Sequence, residues 1–142
     1  FYERHYTMVS ARHFETIIDG MWQSVNDDGT SRLAKLEGWD VCGKTGTAEH
    51  NRRDANGNRY PDHSTFLTFA PRNNPKIAIS VYVEHGGFGS DVAVPIASLI
   101  EELYLTDTIK RQEMLDKVLD KKIDYGYYDA KQRKYDKENP KD

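Results

Sequence analysis

Apolar residues near the start of the chain recur at the spacing of a helix. Phe14, Ile17, Ile18, Met21, Trp22 and Val25 follow the i, i+3, i+4, i+7, i+8 rule, and on a 3.6-residue repeat they share one face. The pattern predicts a helix over residues 10–26, with the stripe as its core-facing side. Ser10 suits the N-cap, Val9 and Phe14 sit at the two positions of a hydrophobic staple, and Asn26-Asp27-Asp28-Gly29 ends the helix with turn formers.

The pattern then changes period. Residues 39–48 read as extended, with Trp39, Val41 and Cys42 as strand formers, although Gly38, Gly43 and Gly46 interrupt the run. A glycine in a strand marks a place where a backbone or ligand comes close. Residues 49–63 are polar throughout, a long connection that fits a functional rim or a mobile loop. Residues 64–70 and 77–84 read as two strands joined by Pro71-Arg72-Asn73-Asn74-Pro75, a link so short that the pair must be an antiparallel hairpin. After His85-Gly86-Gly87-Phe88-Gly89 a helix is predicted over about 91–105. Val92, Ile96, Leu99, Ile100 and Leu103 form its apolar face, Ser90-Asp91 its cap, and Pro95 falls in its first turn, where a missing N–H costs little. From Thr106 the composition turns heavily charged. Ile109, Met114, Leu115, Val118 and Leu119 could support one more helix, and beyond about Ile123 a solvated, partly disordered tail is expected. The fold class is therefore α+β: an antiparallel sheet section with covering helices. Residues 1–105 form the domain portion and 106–142 a charged tail.

Composition narrows the function. A length of 142 residues, a net charge of −3 and 37% hydrophobic residues fit one modest domain. There is no basic excess or basic-aromatic patch of the kind that binds nucleic acid. Cys42 is the one cysteine, which excludes a disulfide framework and a multi-cysteine zinc site, and burial as a small apolar side chain is expected for it. His50, His63 and His85 show no compact ligand spacing, so neither a metal nor a cofactor is expected, and His63 is read as bracing the loop where the chain re-enters the sheet. The opening at Phe1, without initiator Met or signal peptide, reads as a piece of a longer protein.

Candidate chemistry lies in Val41-Cys42-Gly43-Lys44-Thr45-Gly46-Thr47-Ala48. From Gly38 to Thr45 the spacing is formally that of a P-loop, Gly-x-x-x-x-Gly-Lys-Thr. A P-loop needs a buried strand before it and a helix after it. Here Ser31 to Glu37 is too polar for the strand, and a glycine and a polar loop follow, so a nucleotide-binding module is only an alternative. From Lys44 onward the same residues read K-T-G-T, the third motif of serine acyltransferases that penicillin acylates. An ammonium and two hydroxyls on a strand with small neighbours make a compact anion-binding edge, and a fixed N–H can stabilise a tetrahedral oxyanion. A solvated edge-strand lysine is the plainer alternative.

The order of features around that motif decides between the readings. It runs helix, Asp28-Gly29-Thr30, Gly43-Lys44-Thr45-Gly46-Thr47, long loop, Asp62-His63, Phe66-Leu67-Thr68-Phe69-Ala70-Pro71, Asn74-Pro75, apolar strand, Gly86-Gly87, helix. It resembles the C-terminal part of the transpeptidase domain of class B penicillin-binding proteins, of the penicillin-binding protein 2 type, over about residues 8–105. The resemblance implies the penicillin-binding and serine β-lactamase-like fold and a peptidoglycan D,D-transpeptidase that crosslinks the cell wall through a serine acyl-enzyme. By that resemblance Lys44 is the motif lysine beside the substrate carboxylate. Thr45 and Thr47 offer that carboxylate hydroxyls, Gly46 lets the substrate backbone lie along the strand, and the Thr47 backbone N–H supplies half of the oxyanion hole.

The implied partners are the D-Ala-D-Ala stem peptide, β-lactams, the rest of the transpeptidase domain and a glycan polymerase of wall elongation. The implied place is the periplasmic face of the bacterial inner membrane, with an anchor outside this chain. None of the seven serines has a lysine three residues on, and no Ser-x-Asn stands in suitable context, so this chain alone is expected to be inactive. A non-catalytic interaction fragment is the remaining alternative.

Overall fold

The computed structural model describes residues 6–54, 56–123, 134, 137 and 138. Its elements are α1 (Ala11–Asn26), a 3-10 turn (Arg32–Ala34), β1 (Cys42–Ala48), β2 (His63–Ala70), β3 (Ile77–Val83), α2 (Ala93–Thr106) and α3 (Gln112–Leu119). The strands form one antiparallel sheet in the order β1-β2-β3. The predicted α+β class, hairpin and flanking helices are all present. Most of the expected tail beyond Ile123 lies outside the described residues.

Register sorts the sheet into two faces. Thr45 opposes Phe66 and Phe66 opposes Val81, while Lys44 opposes Leu67 and Leu67 opposes Ser80. Directly opposed residues point the same way. On β2, Ser64, Phe66, Thr68 and Ala70 are buried, whereas Leu67 is 57% exposed. Val25 of α1 joins Phe66, Val41, Ala70 and, from α2, Ala93, Val94 and Ala97 in a single core. The helices thus cover one side of the sheet, and the Leu67 side also shows Tyr82, 57% exposed, to solvent.

Both helices depart in detail from their predicted packing. In α1 only Val25 is fully buried, and Phe14 and Ile17 stay 45% and 62% exposed. The stripe meets the core only at its C-terminal end, where the helix crosses β1 and Asn26 Nδ2 donates to the Val41 carbonyl at 2.9 Å. Ser10 has the extended backbone of an N-cap, but its hydroxyl lies against His13 Nδ1 and caps nothing.

In α2 the buried side is Ala93, Val94, Pro95, Ala97, Ser98, Leu99, Glu101 and Glu102, while Ile100 and Leu103 are each 48% exposed. Small side chains win the sheet-facing positions because they let the helix approach the ring of Phe66 closely. Ser90 bonds Asp91 and neither caps the helix. The Ala93 N–H donates instead to Ser64 Oγ on β2 at 3.1 Å, and the Val94 N–H to the Gly89 carbonyl. Pro95 does fall in the first turn. The predicted last helix is present as α3. Arg111 ties its start inward, donating to Glu102 and to the Leu33 and Ser98 carbonyls.

Glu101 is the unusual member of this interior. It has no solvent exposure, and Thr68 Oγ1 lies 3.1 and 3.2 Å from its two oxygens and 3.0 Å from the Cys42 carbonyl. One hydroxyl proton cannot serve all three acceptors, but a protonated Glu101 completes the set by donating to Thr68. Burial pushes the carboxyl up from 4.5 to about 7, with the Thr68 hydrogen bond and Arg111 pulling partly back. A raised folded-state pKa means the group's stabilisation is fully present below the unfolded value of 4.5 and is lost as pH rises through 7. On the order of 3 kcal/mol is at stake. Denaturant unfolding of the chain at pH 5 and pH 8 should show lower stability at pH 8, and Glu101→Gln should flatten that difference. An unchanged pH difference in the variant would mean that Glu101 is ionised in the fold.

Candidate functional site

β1 carries the candidate residues, and it pairs on one side only: among the described residues β2 is its sole partner strand. Lys44, Thr45, Gly46 and Thr47 therefore line a free sheet edge. Their side chains alternate, as a strand requires. Lys44 points to the open face shared with Leu67, and Thr45 and Thr47 to the opposite face. Ammonium and hydroxyls thus flank the edge from its two sides rather than sitting together on one surface.

Lys44 Nζ reaches along the strand and donates to the Thr45 carbonyl at 3.0 Å. Backbone groups two residues apart point the same way, so the Thr47 N–H is directed to the side of the strand on which the Thr45 carbonyl meets the ammonium. Lys44 and Thr47 are both exposed, and Thr45 is half-buried.

The glycines have specific neighbours. A Cβ at Gly43 would press on Phe66 Cζ and lie 2.7 Å from Cε2, so a side chain there must displace that ring from the core. At Gly46 the space for a Cβ is taken by Thr65 Oγ1 from the facing residue of β2. Gly89 passes close to the strands on the Thr45 face, and a Cβ on it would lie 2.7 Å from the Thr65 carbonyl and 2.9 Å from that of Gly46.

Thr30 is a member of the site that the motif spacing did not reveal. Its Oγ1 lies 3.0 Å from Thr45 Oγ1, so the Asp28-Gly29-Thr30 turn braces the motif hydroxyl. The turn is tight. Asp28 takes a positive φ of 51°, and a side chain at Gly29 would strike the Ser24 backbone. The sequence signal was the Gly-Thr pair after the helix stop, which carries no hint of its partner 15 residues on. Cys42 is buried as expected, and desolvation pushes its thiol up to about 11, with Arg72 pulling it partly down, so it stays protonated and unreactive at neutral pH.

The alternative nucleotide reading fails on this geometry. Gly43-Lys44-Thr45 lies inside a strand that runs on to Ala48, and the next helix begins only at Ala93. Among the described residues no helix N-terminus faces the lysine to hold a phosphate.

The polar loop is internally bonded. Asp54 accepts from the Asn56 and Asn58 N–H groups and from Asn58 Nδ2, and these bonds hold its carboxyl below the usual range. Arg59 pairs with Asp62 at 2.8 Å and donates to the His50 carbonyl. At its base, the three histidines that sequence spacing kept apart come together. The His50 and His63 rings stack at 4.5 Å, and His85 lies 5.0 and 5.1 Å from them. His63 Nδ1 accepts the His85 N–H from the turn after β3. Desolvation, then the neighbouring His50 and His85, keep its pKa below the ordinary value.

Comparison with known proteins agrees with this architecture. The family model described as penicillin binding protein transpeptidase domain matches residues 3–102. The chain is 32% identical over 115 residues to the peptidoglycan D,D-transpeptidase MrdA of Haemophilus influenzae, covering 74% of this chain and 18% of that protein. It superposes on Pseudomonas aeruginosa PBP2, solved in complex with WCK 5153, with TM-score 0.58 and 33% identity over 75% of this chain and 23% of that one. It also superposes on Helicobacter pylori PBP2, solved in complex with MreC, with TM-score 0.53 and 25% identity over 70% and 19% of the two chains. The chain spans about a fifth of the length of these relatives.

The contact between Gly43 and Phe66 generates a test. Gly43→Ala should destabilise the chain by about 1–3 kcal/mol through overpacking, read from denaturant midpoints, and Phe66→Leu in the same chain should recover part of the loss. Equal midpoints for parent and Gly43→Ala would show that the ring yields freely.

Proposed function

The chain belongs to the penicillin-binding protein transpeptidase family, and we propose that it forms one wall of the active site of a peptidoglycan D,D-transpeptidase. The free edge of β1, with Lys44 on one flank and Thr45 and Thr47 on the other, carries this reading. A stem peptide ending in D-Ala-D-Ala would lie along that edge as an added strand. Its terminal carboxylate would meet the Lys44 ammonium and the motif hydroxyls, a charge-assisted arrangement.

The Thr47 N–H would face the carbonyl under attack and stabilise the oxyanion formed there, a contribution worth roughly two to three orders of magnitude in rate where one such donor is removed. Thr30 would hold the Thr45 hydroxyl in position. β-Lactams, which present a carboxylate and a strained carbonyl, would bind at the same edge.

The serine nucleophile is not in these 142 residues, since no Ser-x-x-Lys occurs. It would come from a helical lobe that closes over the free edge of β1. The exposed apolar side chains of the open sheet face, Leu67 and Tyr82, fit such a covered surface. Among the described residues no helix is long and apolar enough to cross a membrane. Work at the periplasmic face of the inner membrane, with an anchor elsewhere and a glycan polymerase alongside, completes the proposal.

Two measurements test it. The chain alone should form no covalent adduct with a fluorescent penicillin. The complete gene product should be labelled, and Lys44→Ala should slow that labelling by roughly a hundredfold. Unchanged labelling of the Lys44→Ala protein would remove the lysine from the site, and a labelled band from the pure 142-residue chain would overturn the assignment of the motif.

A further inference from the structure

His50, His63 and His85 come from three different stretches of chain: the start of the polar loop, the first residue of β2 and the turn after β3. One ring nitrogen from each lies within 4.8 Å of the other two. Such convergence is not needed for packing, because a histidine cluster crowds polar atoms that must each find a partner.

The hydrogen bonds define where the lone pairs are. A carbonyl only accepts, so His50 Nε2 and His85 Nδ1, 2.9 and 3.1 Å from the Pro61 carbonyl, must both be protonated. His50 Nδ1 and His63 Nδ1 accept the N–H groups of Arg52 and His85, so both are unprotonated. Each neutral ring therefore keeps one lone pair: Nδ1 on His50 and His63, and Nε2 on His85.

The decisive atom is His85 Nε2. The residue is 3% exposed, and this nitrogen is the one buried side-chain polar atom among the described residues with no hydrogen-bond partner. An orphaned acceptor of that kind is costly unless something fills the role. Its other nitrogen donates to a backbone carbonyl, the arrangement that orients imidazoles for metal ligation. His85 also holds a positive φ of 55°, a conformation that costs a non-glycine residue free energy.

We propose that His50, His63 and His85 form a binding site for one zinc ion. Neutral imidazole suits Zn²⁺, and three protein ligands with water in the fourth position make a familiar coordination set. Nitrogens in a tetrahedral zinc site lie roughly 3.3 Å apart, as follows from Zn–N bonds of about 2.0–2.1 Å, so the rings draw inward on binding. Ligation through His50 Nδ1, His63 Nδ1 and His85 Nε2 would keep every tautomer and release the Arg52 and His85 N–H groups from their imidazole acceptors. Because Ala48 pairs with His63, the ion would clamp the loop base one residue pair beyond Thr47 and steady the C-terminal end of β1.

The test is a titration of zinc chloride into the 142-residue chain against a chromophoric chelator of micromolar affinity. Uptake of about one equivalent is expected, with a rise in melting temperature that saturates at the same ratio. His50→Ala, on the half-buried loop base, should weaken uptake at least about tenfold and abolish the thermal shift. His13→Ala, on α1 and remote from the cluster in sequence, should change neither. Cobalt substitution offers a second readout, since a four-coordinate histidine site gives visible absorption bands that His85→Gln should remove. No stoichiometric uptake, or full uptake in His50→Ala, overturns the site.

Discussion

The ring of Phe66 occupying the place of a side chain at position 43 is the contact on which the rest of the structure depends. Phe66 is wholly buried in a core to which α1, the 3-10 turn, β2 and α2 all contribute. Any side chain at position 43 would press against that ring. The pairing Gly43↔Thr68 and Thr45↔Phe66 is thereby held in one register, since a slip of one residue would put a side chain into the ring and turn the motif onto the wrong faces. The placement of Lys44 on one flank and Thr45 and Thr47 on the other follows from that register.

β2 also holds the second helix. Ser64 caps Ala93, and Thr68 bonds both the Cys42 carbonyl and the Glu101 carboxyl. Two hydroxyls on one buried strand face thus tie β1 and α2 to the same scaffold. Small residues line the α2 surface so that those hydroxyls can reach, and the larger Ile100 and Leu103 turn outward. Polar satisfaction, more than apolar area, sets the rotation of this helix.

The zinc proposal and the transpeptidase reading share one end of the sheet. The base of the polar loop sits directly after β1, and its three imidazoles gather where β2 begins and β3 ends. Steadying that end would fix the direction of the Thr47 N–H, and oxyanion stabilisation depends on preorganised donors.

Much of this was legible in the chain itself. Periodicity located α1, the β2–β3 hairpin, α2 and α3, because those patterns record which residues face a core. The K-T-G-T strand and its place after a helix and before a polar loop marked the family and the candidate wall. What one dimension did not hold were the partners. The Thr30–Thr45 hydroxyl pair, the Ser64 cap on α2, Thr65 beneath Gly46 and the three converging histidines all join residues from separate segments. Spacing along a chain encodes only neighbours within a helix turn or a strand repeat. Contacts between elements are decided when register and helix rotation are set, and here the filled space around Phe66 sets both.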